Sequence, residues 1–161
     1  MKNRIFNILI VFTLVLAGTA GMAANTVAAS DADSEYDIQF ELIYEEYVPS
    51  PYDNDSDTQE FYGRLRCNGY VVGEIKHTVY WEWDYTYVID WSVTTTTYNR
   101  SNGGYSGVCT FSDNDSANYA SWVDCWSWAT FDVFYGATQV GEDVPVTIDT
   151  GHGADGSYWV I

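Results

Sequence analysis

Three groups of residues in this sequence have the types and spacing that binding or catalytic chemistry needs. Asp53, Asp55 and Asp57 alternate with Asn54 and Ser56, the oxygen-rich pattern that a hard cation such as Ca2+ favours. An EF-hand would need a turn glycine and a bidentate glutamate further along, where this chain has Thr58 and Arg64. The segment therefore reads as an acidic loop, either holding Ca2+ in another geometry or simply solvated. Glu82, Asp84 and Asp90 share strand parity, and the first two would lie roughly 7 Å apart on one face. Glycoside hydrolysis uses two carboxyl groups about 5 to 10 Å apart beside aromatic platforms. Among 23 acidic residues, however, such pairs also arise by chance. Finally, Trp126 and Trp128 share parity with Asp124, Thr130 and Asp132, opposite an apolar row of Val123, Cys125, Ala129, Phe131, Val133 and Tyr135. Two tryptophans on a wet sheet face can stack sugars or seat a protein partner. The competing reading has them covered by a loop such as 49–58 or by a second layer.

Other chemistries are poorly supplied. His77 and His152 are the only histidines, and His152 sits in Thr150-Gly151-His152-Gly153, which reads as a turn. No helix-borne zinc motif can be built from them, and no Gly-x-Ser-x-Gly elbow supports a Ser-His-Asp triad. Arg64 and Arg66 share a strand face, where pairing with neighbouring carboxylates is a commoner fate than anion binding.

The chain opens with Lys2 and Arg4, continues apolar from Ile5 to Ala17 and ends this segment in small residues, the pattern of a cleavable export signal. Cleavage fits before Ala24 or before Ser30. The second is preferred because acidic composition begins at Asp31, giving a leader over 1–29, an acidic tail over 30–35 and one domain over 36–161. The alternative is an uncleaved anchor over 5–24, about the length a bilayer needs; once the signal is removed, no membrane span is expected. Export favours disulfides. Cys109 and Cys125 flank the polar stretch 112–121 and form the expected pair, leaving Cys67 as a buried free thiol or the seat of an intermolecular bridge in a homodimer. Asn54, Asn99 and Asn114 each begin an Asn-x-Ser sequon in expected loops, which makes them glycosylation candidates.

These residues must be positioned by strands. After the leader, Val, Ile, Thr, Tyr, Phe and Trp dominate, while Leu, Met and Lys nearly vanish. From Val79 to Val93 the odd positions are apolar and the even ones mostly polar, without a change of phase. A two-residue turn inside this run would swap the faces, so a bent strand or an odd-length loop near 84–86 is expected. Asn68-Gly69 is the strongest hairpin signal. Further strands are expected around 38–44, 61–67, 94–98, 105–111, 122–135, 144–149 and 158–161, with Pro145 marking an edge. The whole reads as an all-β domain of seven to nine strands: a small antiparallel β-sandwich, with a jelly roll or small barrel as the alternative.

From Ser30 onward, four basic residues stand against all 23 acidic ones, a formal charge of −19. Such a field repels phosphate backbones and anionic headgroups, which excludes nucleic acid and acidic bilayers as electrostatic partners. The lysine-poor, aspartate-rich composition is similar to that of secreted proteins of extreme halophiles. The expectation is a secreted, non-enzymatic β-sandwich that binds a protein or glycan at the cell surface or outside the cell. The alternatives are a small carbohydrate-active hydrolase using paired carboxylates and a secreted antagonistic protein. Raising salt from about 0.1 to 1 M shortens the Debye length from roughly 10 to 3 Å, so the thermal unfolding midpoint should rise over that range. A midpoint that circular dichroism finds independent of salt would remove the role assigned to the acidity.

Overall fold

The computed structural model describes residues 25–28 (backbone only), 35–43 and 55–161. It is all-β, with two antiparallel sheets in an arrangement consistent with a β-sandwich. The first sheet runs β1 (Asn25–Ala28), β2 (Ile38–Ile43), β3 (Ser56–Cys67), β4 (Tyr70–Trp83) and β5 (Val88–Asn99) in that order. The second runs β10 (Tyr158–Val160), β9 (Thr138–Gly153), β8 (Trp122–Tyr135), β7 (Tyr105–Asn118) and β6 (Ser101–Asn102). Every hydrogen-bonded neighbour is adjacent in sequence, so the described strands contain none of the Greek-key crossings that a jelly roll requires. Most of the expected leader and tail, 1–29 and 30–35, lies outside the described residues. Within the expected leader, 25–28 pair with β2 as a short edge strand.

Local chemistry explains the turns. Asn68 and Gly69 join β3 to β4 with φ of 49° and 82°, the double positive φ of a type I′ hairpin turn, which Asn-Gly adopts at least cost. Between β4 and β5, the Asp84 carboxylate accepts the backbone N–H groups of Thr86 and Tyr87 at 2.9 and 2.7 Å. The expected odd-length loop is in fact a four-residue loop plus a bulge: Glu82 faces Asp90 and Trp83 faces Val88, leaving Ile89 as the extra residue. Val88 is buried, whereas Tyr85, Tyr87 and Ile89 are exposed. The four-residue loop, even in length, moves the buried phase onto Val88, and the bulge at Ile89 returns it to the odd positions, so that Trp91 and Val93 again face the core.

Two polar stretches depart from expectation. Residues 112–118, read as loop, continue β7 and pair with β8 from Asn118↔Val123 to Ser112↔Ala129. Their Ser, Asp and Asn have weak strand propensity, but the ladder offered by β8 overrides it. Thr150 to Gly153, read as a turn, continues β9, and His152 is fully buried. Pro145 does lie at a local edge, since β10 pairs only with Thr150–His152 of β9.

Inward side chains from both sheets form the core. Phe61, Leu65, Cys67 and Ile75 of the first sheet pack with Phe131, Val133, Val146 and Ile148 of the second. Toward the other end, Val79, Trp81 and Trp83 meet Val123, Cys125 and Ala154.

The expected Cys109–Cys125 bridge is absent, and all three cysteines are free. Cys109 pairs with Phe131, six residues along β8 from Cys125. That separation is about 20 Å at the rise of a strand, against a disulfide limit of roughly 7 Å between Cα atoms. Cys67 is wholly buried. Burial pushes the Cys125 thiol up to about 12 and raises that of Cys67, which keeps both protonated and unreactive. Unreduced protein unfolded in guanidinium should therefore titrate three thiols per chain with a thiol reagent. A count of one would restore the bridge.

Candidate functional site

Strand pairing places side chains of directly opposed residues on the same side of a sheet. Because Val123, Cys125, Ser127, Ala129, Phe131 and Val133 of β8 are buried inward, Trp126 and Trp128 stand on the outer face of the second sheet. The ladder sets Asp115 and Asp149 on either side of Trp126, and Asp113 and Thr147 on either side of Trp128. One step further, Asp124 lies between Ala117 and Gly151. Neighbours across such a ladder are about 5 Å apart at Cβ, and the two tryptophans are about 7 Å apart along β8. Trp159 of β10, opposite Gly151, covers the bare backbone there: a Cβ on Gly151 would meet the indole at 2.2 Å. Glycine at 151 is thus required by this close approach.

The exposure of this face is graded. Trp126, Trp128, Asp124 and Asp149 are half-buried, Asp113 and Asp115 exposed, and Trp159 is 40% exposed. Among the described residues, Asp149 Oδ1 is buried without a hydrogen-bond partner. Burial, reinforced by the charge of Asp124, raises the Asp149 pKa against the opposing hydrogen bond from the Thr150 backbone. Of the loop expected to cover the tryptophans, Ser56 to Thr58 belong to β3 of the first sheet, where Ser56 faces Glu82. Residues 49–54 lie outside the described residues.

Charge divides the two sheets. From Ser101 to Ile161 there is no Lys or Arg, against eight carboxylates. The four basic residues from Ser30 onward are all ion-paired on the first sheet or at its end: Arg64 and Arg100 with Glu74, Arg66 with Glu41 and Lys76 with Glu60, at 2.5 to 3.1 Å. The expected carboxylate pairing of Arg64 and Arg66 is what the structure contains.

The remaining candidates are scattered. Asp57 lies in β3, its carboxylate turned back on Thr58 N and Gln59; Asp55 is exposed, and Asp53 and Asn54 lie outside the described residues. Among the described residues no group of three or more His, Cys, Asp or Glu could hold a metal ion. Glu82 and Asp90 do face each other across β4 and β5, but Glu82 accepts the Tyr80 hydroxyl and Asp84 caps the loop. Asn99 and Asn114 sit in strands, not loops: Asn99 is exposed and accepts Cys109 N at 2.8 Å, and Asn114 is half-buried. At the far end, Tyr85, Tyr87 and Ile89 are exposed on one loop. A backbone bond from Val88 N to Ala120 O joins that loop to the neighbouring one, where Tyr119 stacks on Trp122 at 4.9 Å.

Sequence reasoning missed a buried polar chain between the sheets. Ser127 Oγ lies 2.7 Å from His77 Nδ1, His77 Nε2 lies 2.9 Å from Thr150 Oγ1, and Thr150 Oγ1 lies 2.9 Å from His152 Nε2. Thr95 Oγ1 donates to Ser127 Oγ at 2.6 Å. The signal was the parity of β8, which puts Ser127 on the buried row. Although Ser127 and His77 form a serine-histidine contact, both are 0% exposed, so no substrate in solvent reaches them. Their role is to join β4, β5, β8 and β9.

Burial lowers His77 to about 4 and His152 to about 3, with the charge of His77 adding to the effect at His152. A base whose folded pKa is depressed stabilises the fold above its unfolded pKa near 6.5 and loses that contribution as pH falls toward the folded value. Between pH 7 and pH 4.5 the native protein should lose about 2 kcal/mol more stability than a His152→Phe variant. Denaturant titrations at the two pH values, in fixed salt, measure this, and equal losses would refute it.

Comparison of the sequence with family models and curated proteins, and of the structure with solved structures, found no match.

Proposed function

We propose that the chain is a secreted, non-enzymatic binding protein, and that the outer face of its second sheet receives a protein or glycan partner. One observation carries this reading. Trp126 and Trp128 stand side by side and half-buried on that face, bordered by Asp113, Asp115 and Asp149. Large indoles left partly in water are costly to solubility and are typical of contact surfaces. The base beneath them is firm, because the opposite side of the same strand is locked into the core. Polar neighbours spaced one ladder step away supply orientation, while the indoles supply apolar area. The export-like segment at the start of the chain, the acidic composition and its similarity to that of halophile proteins support a setting outside the cell.

The site should be separable from the fold. A Trp126→Ala/Trp128→Ala variant should lose about tenfold or more in affinity for any glycan or peptide found by array screening, and should melt within a few degrees of the native protein. The fluorescence removed by Trp126→Phe/Trp128→Phe should be quenched by acrylamide more strongly than the fluorescence removed by Trp81→Phe, whose indole is fully buried. Equal quenching would mean that the two indoles are shielded, and the reading would fail.

A further inference from the structure

We propose that the occupant of this face is a basic polypeptide segment, whose arginine side chains stack on Trp126 and Trp128 and reach Asp113, Asp115, Asp124 and Asp149. The inference rests on the reading of the face as a binding surface and adds the chemistry of the ligand.

Charge complementarity is the first support. The four carboxylates lie within one or two ladder steps of the two indoles, and the sequence from Ser101 onward contains no Lys or Arg to neutralise them. The basic residues of the first sheet are already committed to Glu41, Glu60 and Glu74. A neutral glycan would satisfy the indoles but leave this excess of negative charge uncompensated.

Geometry is the second support. A guanidinium is planar and weakly hydrated, stacks on aromatic faces and forks its N–H groups onto carboxylates. An indole with a carboxylate about 5 Å to either side, as at Asp115-Trp126-Asp149, presents both surfaces to one arginine. Alternate side chains of an extended peptide repeat at about 7 Å, the same spacing as Trp126 to Trp128. Two arginines at i and i+2 of such a segment would therefore meet the two indoles in register. Close contact with half-buried groups is also screened less by salt than long-range attraction.

Tryptophan fluorescence titration tests this with three probes in about 0.15 M salt: an octa-arginine peptide, its octa-citrulline counterpart, which keeps the shape without the charge, and a neutral glucose hexasaccharide. Octa-arginine should bind at least tenfold more tightly than either other probe. Asp149→Asn, Asp113→Asn and Trp126→Ala/Trp128→Ala should each weaken it severalfold or more. Glu142→Gln removes one exposed charge seven residues along β9 from Asp149 and should change affinity less than twofold. If Glu142→Gln weakens binding as much as Asp113→Asn, the attraction is that of the whole acidic surface and the proposal is overturned. If citrulline peptide or hexasaccharide binds as tightly, and only through the tryptophans, the face remains a binding surface but its cationic specificity is wrong. If none of the probes binds, the cationic inference fails, while the binding surface itself is judged by the array screen and the quenching comparison.

Discussion

The hydrogen bond between Ser127 Oγ and His77 Nδ1, 2.7 Å long and sealed between the sheets, fixes the phase of β8. Side chains alternate along a strand, so a slip of one residue would send the row Val123 to Val133 outward and bring Trp126 and Trp128 in. The slip would also remove Ser127 from His77 and leave a buried imidazole nitrogen unpaired, at a cost of about 1–3 kcal/mol beyond the packing lost. The same slip would bury Asp124, Thr130 and Asp132 of the outer row, and burying carboxylates is costlier still. The polar contact therefore reinforces a phase that the alternation of apolar and polar residues already favours. The outward position of the two tryptophans rests on both.

One arrangement of protons serves most of the polar groups around this bond, with the single Thr95 proton lying between Ser127 Oγ and the Asp113 carbonyl, 2.6 and 3.1 Å away. The backbone carbonyl of Cys125 only accepts, so the Thr150 hydroxyl, 3.3 Å away, donates to it. The lone pairs of Thr150 Oγ1 then accept Nε2–H from both His77 and His152. His77 Nδ1 is left to accept from Ser127, which in turn accepts from Thr95. Both imidazoles are neutral in this arrangement, which agrees with burial lowering their pKa values. One polar end remains open: among the described residues, His152 Nδ1 is buried without a partner, as are the indole N–H groups of Trp81 and Trp83. His152 packs against Trp81 with ring centroids 4.5 Å apart, so this end of the core combines aromatic contact with unmet hydrogen-bonding capacity. It is the part of the interior with most to lose from protonation.

How far the sequence reveals this structure depends on which physical signal each element carries. Period-two patterning and β-branched content identified the fold class and gave β8 its bounds. Asn68-Gly69 specified its turn because few dipeptides accept two positive φ angles. The reading failed where a long-range ladder outweighs local preference. Residues 112–118 are poor strand formers held by β8, and His152, flanked by glycines, is held by β8 and β10. The disulfide expectation failed for the same reason: once 112–118 is a strand, Cys109 and Cys125 lie at distant rungs of the ladder instead of closing a loop. For the candidate site, parity alone placed Trp126 and Trp128 outward. Asp113, Asp115, Asp149 and Trp159 joined them only through strand order, which no local pattern encodes.

Strand order also turns a composition into a surface. A charge of −19 spread over a small domain would read simply as adaptation to a salty medium, with carboxylates everywhere and cations rare. The structure shows that the few cations are not scattered. Arg64, Arg66 and Lys76 lie on neighbouring strands of the first sheet, and Arg100 reaches Glu74 from the end of the same sheet. Exposed ion pairs of this kind contribute little stability each, so their grouping does not explain the fold. Its main effect is on the other sheet, whose carboxylates have no Lys or Arg counter-charge among the described residues and are interleaved with indoles. A purely solvating surface would have no need of tryptophan, and a purely apolar docking surface no need of four aspartates around it. The combination is accounted for by a ligand that brings both a flat face and a positive charge, and the locked phase of β8 holds that combination toward solvent.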